Sequence, residues 1–266
     1  MRKAFLCLLV LLFLLPTVSF SESAAAQPDS ARAYADELQE RFGITILIGD
    51  ECIQRPEEDM FTVGYGFATT PLLSMIKRVD TVNELKKIEQ ALVRYPVSFF
   101  QYLRDESHPD GVRIQLADRL ISSNPALHSS AYTCSASTWY DIYLEYELFR
   151  VLSVHHELWH AWEDRILSED PSAFAAWNDL NPEGFTYLND YYADYSQYNP
   201  DYFIQGYSTV YEAEDRALLV EAFFDHPYEM LKEPSGILSK YLYLNEIVSS
   251  LTNYRYDMRT GNLKEE

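Results

Sequence analysis

The chain has 266 residues, 47% of them hydrophobic, and a formal net charge of −20. That length supports one large domain or two lobes around a cleft. The acidity speaks against nucleic acid and anionic membrane surfaces as partners, since both repel it. It suits an exported soluble surface, with basic substrates as the sharper alternative.

Arg2 and Lys3 make a basic start, Ala4 to Leu15 is apolar without interruption, and Pro16 breaks the run. Small residues follow at Ser21 and at Ala24, Ala25 and Ala26. This is the pattern of a secretory signal peptide over residues 1–26, with cleavage after Ser21 or after Ala26. The run is short for a membrane span, and a retained N-terminal anchor is the competing reading; no stable membrane insertion is expected. Cys7 lies too early in the run to be a lipid-bearing cysteine. The expected mature chain, 27–266, is secreted or periplasmic. It keeps Cys52 and Cys134, which in an exported chain predict one disulfide; two free thiols are the alternative.

Residues 27–32 read as a disordered terminus. Ala33 to Phe42 follows as a helix with Leu38 and Phe42 on one face, ended by Gly43. Ile44 to Ile48 reads as a buried strand. Thr81-x-x-Glu84 has the form of a capping box, and Val82, Leu85, Ile88 and Leu92 give the next helix one apolar stripe. Val112, Ile114 and Leu116 alternate with Arg113 and Gln115, the mark of a half-buried strand. Trp139 to Leu144 reads as another strand. From Tyr146 to Leu167 neither Pro nor Gly intervenes, and Leu148, Leu152, Trp159, Trp162 and Ile166 recur at helical spacings. Beyond this helix strand signals stop. Pro171 to Trp177 looks helical, Asn181 to Phe185 is a turn, and Tyr187 to Tyr202 is rich in Tyr, Asp and Asn without a period. Thr209 to Phe224 and Ser235 to Tyr254 complete the chain as helices. The order predicts an α+β fold, with a mixed α/β N-terminal lobe over about 33–167 and a mainly helical C-terminal lobe over about 168–266.

The long helix carries His156-Glu157-Leu158-Trp159-His160, an H-E-x-x-H pattern. Residues four apart lie one turn above each other, so both imidazoles can hold a single Zn²⁺. Glu157 then stands beside the water at the metal and serves as general base. His155 lies about 100° round the helix from His156 and is read as a packing or supporting residue. A catalytic zinc takes three protein ligands, and no H-x-x-G-x-x-H continuation follows His160. Glu214 is the best third ligand. It shares a face with Ala217, Leu218 and Glu221 on an apolar helix, where small Ala217 allows close approach and an unpaired acid is costly. Glu183, on the turn, is the rival; Asp215 is a candidate acceptor for a histidine N–H.

The H-E-x-x-H run and the Glu214-Asp215-Arg216-Ala217 helix resemble the gluzincin zinc metallopeptidases. Asn181 to Phe185 and Tyr207-Ser208 also resemble a group of poorly characterised bacterial secreted metallopeptidases. The likeness covers roughly residues 140–225, and the N-E-x-x-S-D form of the thermolysin-like branch is missing. The resemblance implies a zincin-like domain with a small sheet, a central zinc helix, His156, His160 and Glu214 as ligands, and Glu157 as base. It implies a peptide or protein substrate. Tyr207 and Tyr211, just ahead of the Glu214 helix, are the candidate donors to the oxyanion; packing or a lid is the other reading of these tyrosines. By analogy, the strand from Trp139 is the expected partner of an extended substrate. Two alternatives remain: a non-catalytic extracellular zinc-containing protein that binds glycan or peptide, and a toxin-like protease. The intact Glu157 argues against the first, and the second lacks any recognisable delivery module.

Overall fold

The computed structural model describes residues 27–52, 67–70, 81–117, 119–122, 129–135, 138–232 and 234–266. The expected signal peptide and Cys7 lie outside them. The chain is α+β. Helix α1 (Gln27–Phe42) leads into strand β1 (Thr45–Ile48), and β2 (Phe67–Thr70) follows. Helices α2 (Thr81–Leu92) and α3 (Val97–Tyr102) precede strands β3 (Gly111–Ala117), β4 (Arg119–Ser122), β5 (Ala131–Cys134) and β6 (Trp139–Glu145). Helices α4 (Val151–Glu169), α5 (Glu212–Asp225) and α6 (Ser235–Leu251) and strands β7 (Tyr254–Asp257) and β8 (Asn262–Glu265) complete it.

The main sheet has the order β1-β3-β6-β5. Both neighbours of β3 run parallel to it, whereas the edge strand β5 is antiparallel to β6. Strand β3 is therefore interior and buried on both faces, not half-buried as its alternation predicts. Its polar positions are satisfied laterally. Arg113 Nε and Nη2 donate to the two carboxylate oxygens of Asp141 at 2.5 and 3.0 Å, and Gln115 Nε2 donates to the same carboxylate at 3.0 Å. On one face Ile114, Ile142 and Leu144 join the core built with α1, α2 and α4. On the other, Tyr143 packs with Ala117, Leu120 and Cys134.

Several sequence expectations are corrected. Helix α1 begins at Gln27, inside the stretch read as disordered, because Ala31 is buried in the core and Arg32 pairs with Asp36 and Glu51. Its end is as expected: Gly43 lies at φ +67°, donating to Gln39 O at 2.9 Å. Thr81 is already helical and its hydroxyl has no hydrogen-bond partner, so the capping box is not formed. Helix α4 starts at Val151 and not at Tyr146. The β3–β6 ladder holds the chain extended to Glu145, and Glu147 then turns it at φ +65°, leaving Leu148 exposed. Pro171 to Trp177 is turn, with a 3-10 turn over Trp177–Leu180. Strands do return after α4, as the β7–β8 hairpin, whose Tyr254 and Tyr256 are buried while Arg255 is exposed.

Cys52 and Cys134 are both buried and form no disulfide with each other, so the expected bridge is absent from the structure. Cys52 Sγ donates to Leu116 O on β3 at 3.2 Å, whereas Cys134 sits on β5, two strands away. Strands about 4.8 Å apart put the pair beyond the roughly 7 Å that a bridge can span. Both thiols are expected to alkylate in denatured, unreduced protein, which peptide mass spectrometry reads directly.

Helix α5 docks on α4 through a buried ion pair. Arg216 Nη2 and Nε donate to Glu163 at 2.6 and 3.0 Å, Trp159 Nε1 donates to the same carboxylate at 2.7 Å, and Arg216 lies 4.5 Å over the Phe174 ring. Removing one partner strands the other charge in the core. Glu163→Ala is expected to lower stability by about 3–5 kcal/mol in urea unfolding, and replacing both partners by Met to cost much less. Among the described residues no helix is long and apolar enough to cross a membrane.

Candidate metal centre

His156 and His160 stand on successive turns of α4, their rings 4.8 Å apart, with Glu214 brought against them from the first turn of α5. Glu214 Oε2 lies 3.0 Å from His156 Nε2 and 3.8 Å from His160 Nε2. Ligand atoms of the three residues all fall within 4.8 Å of one another. Zinc bonds of about 2.0–2.2 Å place tetrahedral donors roughly 3.4 Å apart. The two Glu214 distances bracket that spacing, and two imidazoles with one carboxylate is a donor set suited to zinc. The residues fit the metal. Glu183 does not compete: it is exposed on its turn and outside the cleft.

The surroundings hold the three donors. His156 Nδ1 lies 2.8 Å from Glu221 Oε1, seven residues after Glu214 on the same face of α5. Tyr191 Oη donates to Glu214 Oε1 at 3.0 Å, which leaves Oε2 turned to the histidines. Sequence reasoning missed both roles. The i, i+7 spacing of Glu214 and Glu221 was a usable signal for one; a stretch without periodicity offered none for Tyr191. Asp215 turns away from the histidines. It accepts from Trp177 Nε1, Tyr187 Oη and Lys240 Nζ at 3.1, 2.7 and 2.7 Å. His155 packs as expected, hydrogen-bonded to Tyr95 at 2.9 Å and stacked on Phe224.

Glu157 is buried beside the histidines. Its Oε2 accepts from Thr133 Oγ1 on β5 at 2.7 Å, and the same hydroxyl contacts Glu157 O at 3.0 Å. Burial raises its pKa above the ordinary carboxylate value, although His156, His160 and Thr133 pull the other way. Burial alone would lower the histidines, but their hydrogen bonds to Glu214, and for His156 also to Glu221, hold both above their usual values. Burial would raise Glu214, yet its bonds to the two histidines keep it below the carboxylate range.

These residues line a cleft of about 630 Å³, bounded by Ser129 to Ser135 along β5 and by a wall of tyrosines. Tyr207 and Tyr211 both reach it. Tyr207 is raised by burial and by the nearby carboxylates of Glu214 and Glu157, whereas Tyr211 is raised by burial, Asp190 and Glu214. Tyr207 is therefore the one close to Glu157. The wall is pinned at Gly206, where a Cβ would meet Tyr195 O at 1.9 Å. No family profile matches the chain, and neither does any curated protein or solved structure.

Two outcomes test the centre. A histidine whose pKa is raised keeps its proton to higher pH and must lose it to bind metal. Zinc binding to the metal-free protein is therefore expected to release protons and to tighten as pH rises, read by calorimetry in buffers of different ionisation enthalpy. His160→Ala is expected to lose most of the metal, and Glu221→Ala to weaken zinc binding about 10–100-fold, both by competition with a chelator.

Proposed function

We propose that the chain is an exported zinc-dependent peptidase with a zincin-like domain. The observation that carries this reading is the meeting of Glu214 with His156 and His160 while Glu157 lies in the same cleft on the same helix. His156, His160 and Glu214 would hold zinc. The metal, when bound, supplies a Lewis acid that polarises a carbonyl and lowers the pKa of water towards about 7.

The chain's own groups do the rest. Glu157 takes a proton from the attacking water and returns it to the leaving amine, and its raised pKa suits both transfers. Thr133 holds the Glu157 carboxylate in place from the cleft wall. Tyr207 donates its O–H to the oxyanion as charge develops there; Tyr211, further from Glu157, lines the substrate path. Strand β6 does not take the substrate, because β3 and β5 flank it. Among the described residues β5 is an edge strand of the main sheet, and it borders the cleft, where an extended peptide would lie beside it.

Glu157→Gln keeps the volume of the side chain and removes its basicity. Peptide hydrolysis is expected to fall about a hundredfold or more, with zinc content and melting temperature close to wild type. Equal cleavage by the two proteins would exclude this mechanism. A zinc-loaded wild type that cleaves no peptide across a broad library would favour the binding-protein reading.

A further inference from the structure

The cleft follows α4 from Arg150, ahead of the metal centre, to Asp164 beyond it. Of the four carboxylate side chains that line it, three have been assigned: Glu157 to the base, Glu214 to the metal and Glu221 to His156. Asp164 has no such task. It stands four residues after His160 and eight after His156, on the ligand face of the helix, about 6 Å along the axis from His160. Its side chain is exposed to the cleft, above the fully buried Tyr140, on which the His108 ring stacks at 3.9 Å.

No lysine or arginine of the described residues pairs with Asp164, whose carboxylate lies against the Tyr140 hydroxyl and faces the His108 ring. Arg165, next in sequence, turns to Asp105 and Glu169 at 3.7 and 2.6 Å. His108 is engaged by Ser135 O at 3.0 Å and Asp105 at 3.4 Å. Neighbouring Glu163 is consumed by Arg216. Arg150, the cleft's one arginine, stands at the opposite end, 3.9 Å from Glu221. A carboxylate exposed in a concave, tyrosine-walled site, near Asp105 and Glu163 and with no lysine or arginine of its own, is completed by a cation from the ligand.

We propose that Asp164 is the specificity-determining residue of the cleft and that it receives a lysine or arginine side chain of the peptide. Successive residues of an extended peptide advance about 3.3 Å, so the basic residue lies within about two positions of the bond at the metal centre. That the ligand is a peptide rests on the peptidase reading; the charge preference is tested by binding, apart from turnover.

The zinc-loaded full chain carrying Glu157→Gln is titrated with fluorescent peptides in which lysine or glutamine is scanned through each position. At one position lysine is expected to bind about tenfold tighter than glutamine, with the preference shrinking as salt is added. Adding Asp164→Asn should bring that ratio close to one. Asp164→Lys should turn the preference towards glutamate, which a merely structural role would not do. Equal or undetectable binding of the lysine and glutamine peptides, or a lysine preference that survives Asp164→Asn, overturns the proposal. Cleavage by wild type is scored separately. Lysine preference without cleavage of any peptide removes the peptidase reading and leaves the subsite; cleavage without lysine preference removes the subsite and leaves the peptidase.

Discussion

The structure depends on three consecutive charges at the start of α5, each buried and each committed to a different partner. Glu214 meets the two histidines of α4, Asp215 meets Lys240 of α6, and Arg216 meets Glu163 of α4. A buried charge without a partner is costly, so the three pairings together fix the rotation and depth of α5. A turn of 100°, one residue's worth, would strip all of them at once. Ala217 follows immediately and is fully buried, which lets the helices approach closely enough for the pairs to form. The first of these contacts is the metal centre and the other two are structural. The centre therefore inherits its geometry from the packing of the domain.

The same logic extends outward. Asp215 also accepts from Tyr187 and Trp177, so the tyrosine-rich segment is tethered where it begins. Tyr191, a few residues on, returns to Glu214. Thr133 approaches Glu157 from β5. Three separate parts of the chain, β5, α5 and the tyrosine-rich segment, hold the groups of the site, and each does so through a hydrogen bond at 3.0 Å or less. A catalytic group must be held to a fraction of an ångström to be useful. Here that restraint comes from groups whose own positions are set by burial.

What the sequence revealed follows from how local each feature is. The H-E-x-x-H pair is encoded within five residues of one helix, and Glu214 within one amphipathic face, so both were legible. Strand β5 was not: Ala131-Tyr132-Thr133-Cys134 is too short to show a period, and it is a strand because β6 lies beside it. The start of α4 was misplaced for a related reason. Residues 146–150 have helical composition, but the ladder between β3 and β6 overrides it up to Glu145. Burial of Gln115 and Asp141 was equally hidden, since alternation reports one strand and not its neighbours. The cysteine pairing failed because counting thiols says nothing of the distance between sheet positions.

The charge of the centre ties metal to fold. Glu157, Glu214 and Glu221 surround two histidines, and Arg150 stands 3.9 Å from Glu221. Hydrogen bonds to Glu214, and for His156 also to Glu221, raise both histidines despite burial. A divalent cation would take the place of protons there and leave the histidines free to act as ligands. Either way the positive charge sits between α4 and α5, across the contact that the buried Arg216–Glu163 pair also spans. Whatever neutralises Glu214 therefore also holds the two helices together, so a metal bound there would stabilise the folded chain, by an amount that grows with the logarithm of its free concentration above the dissociation constant.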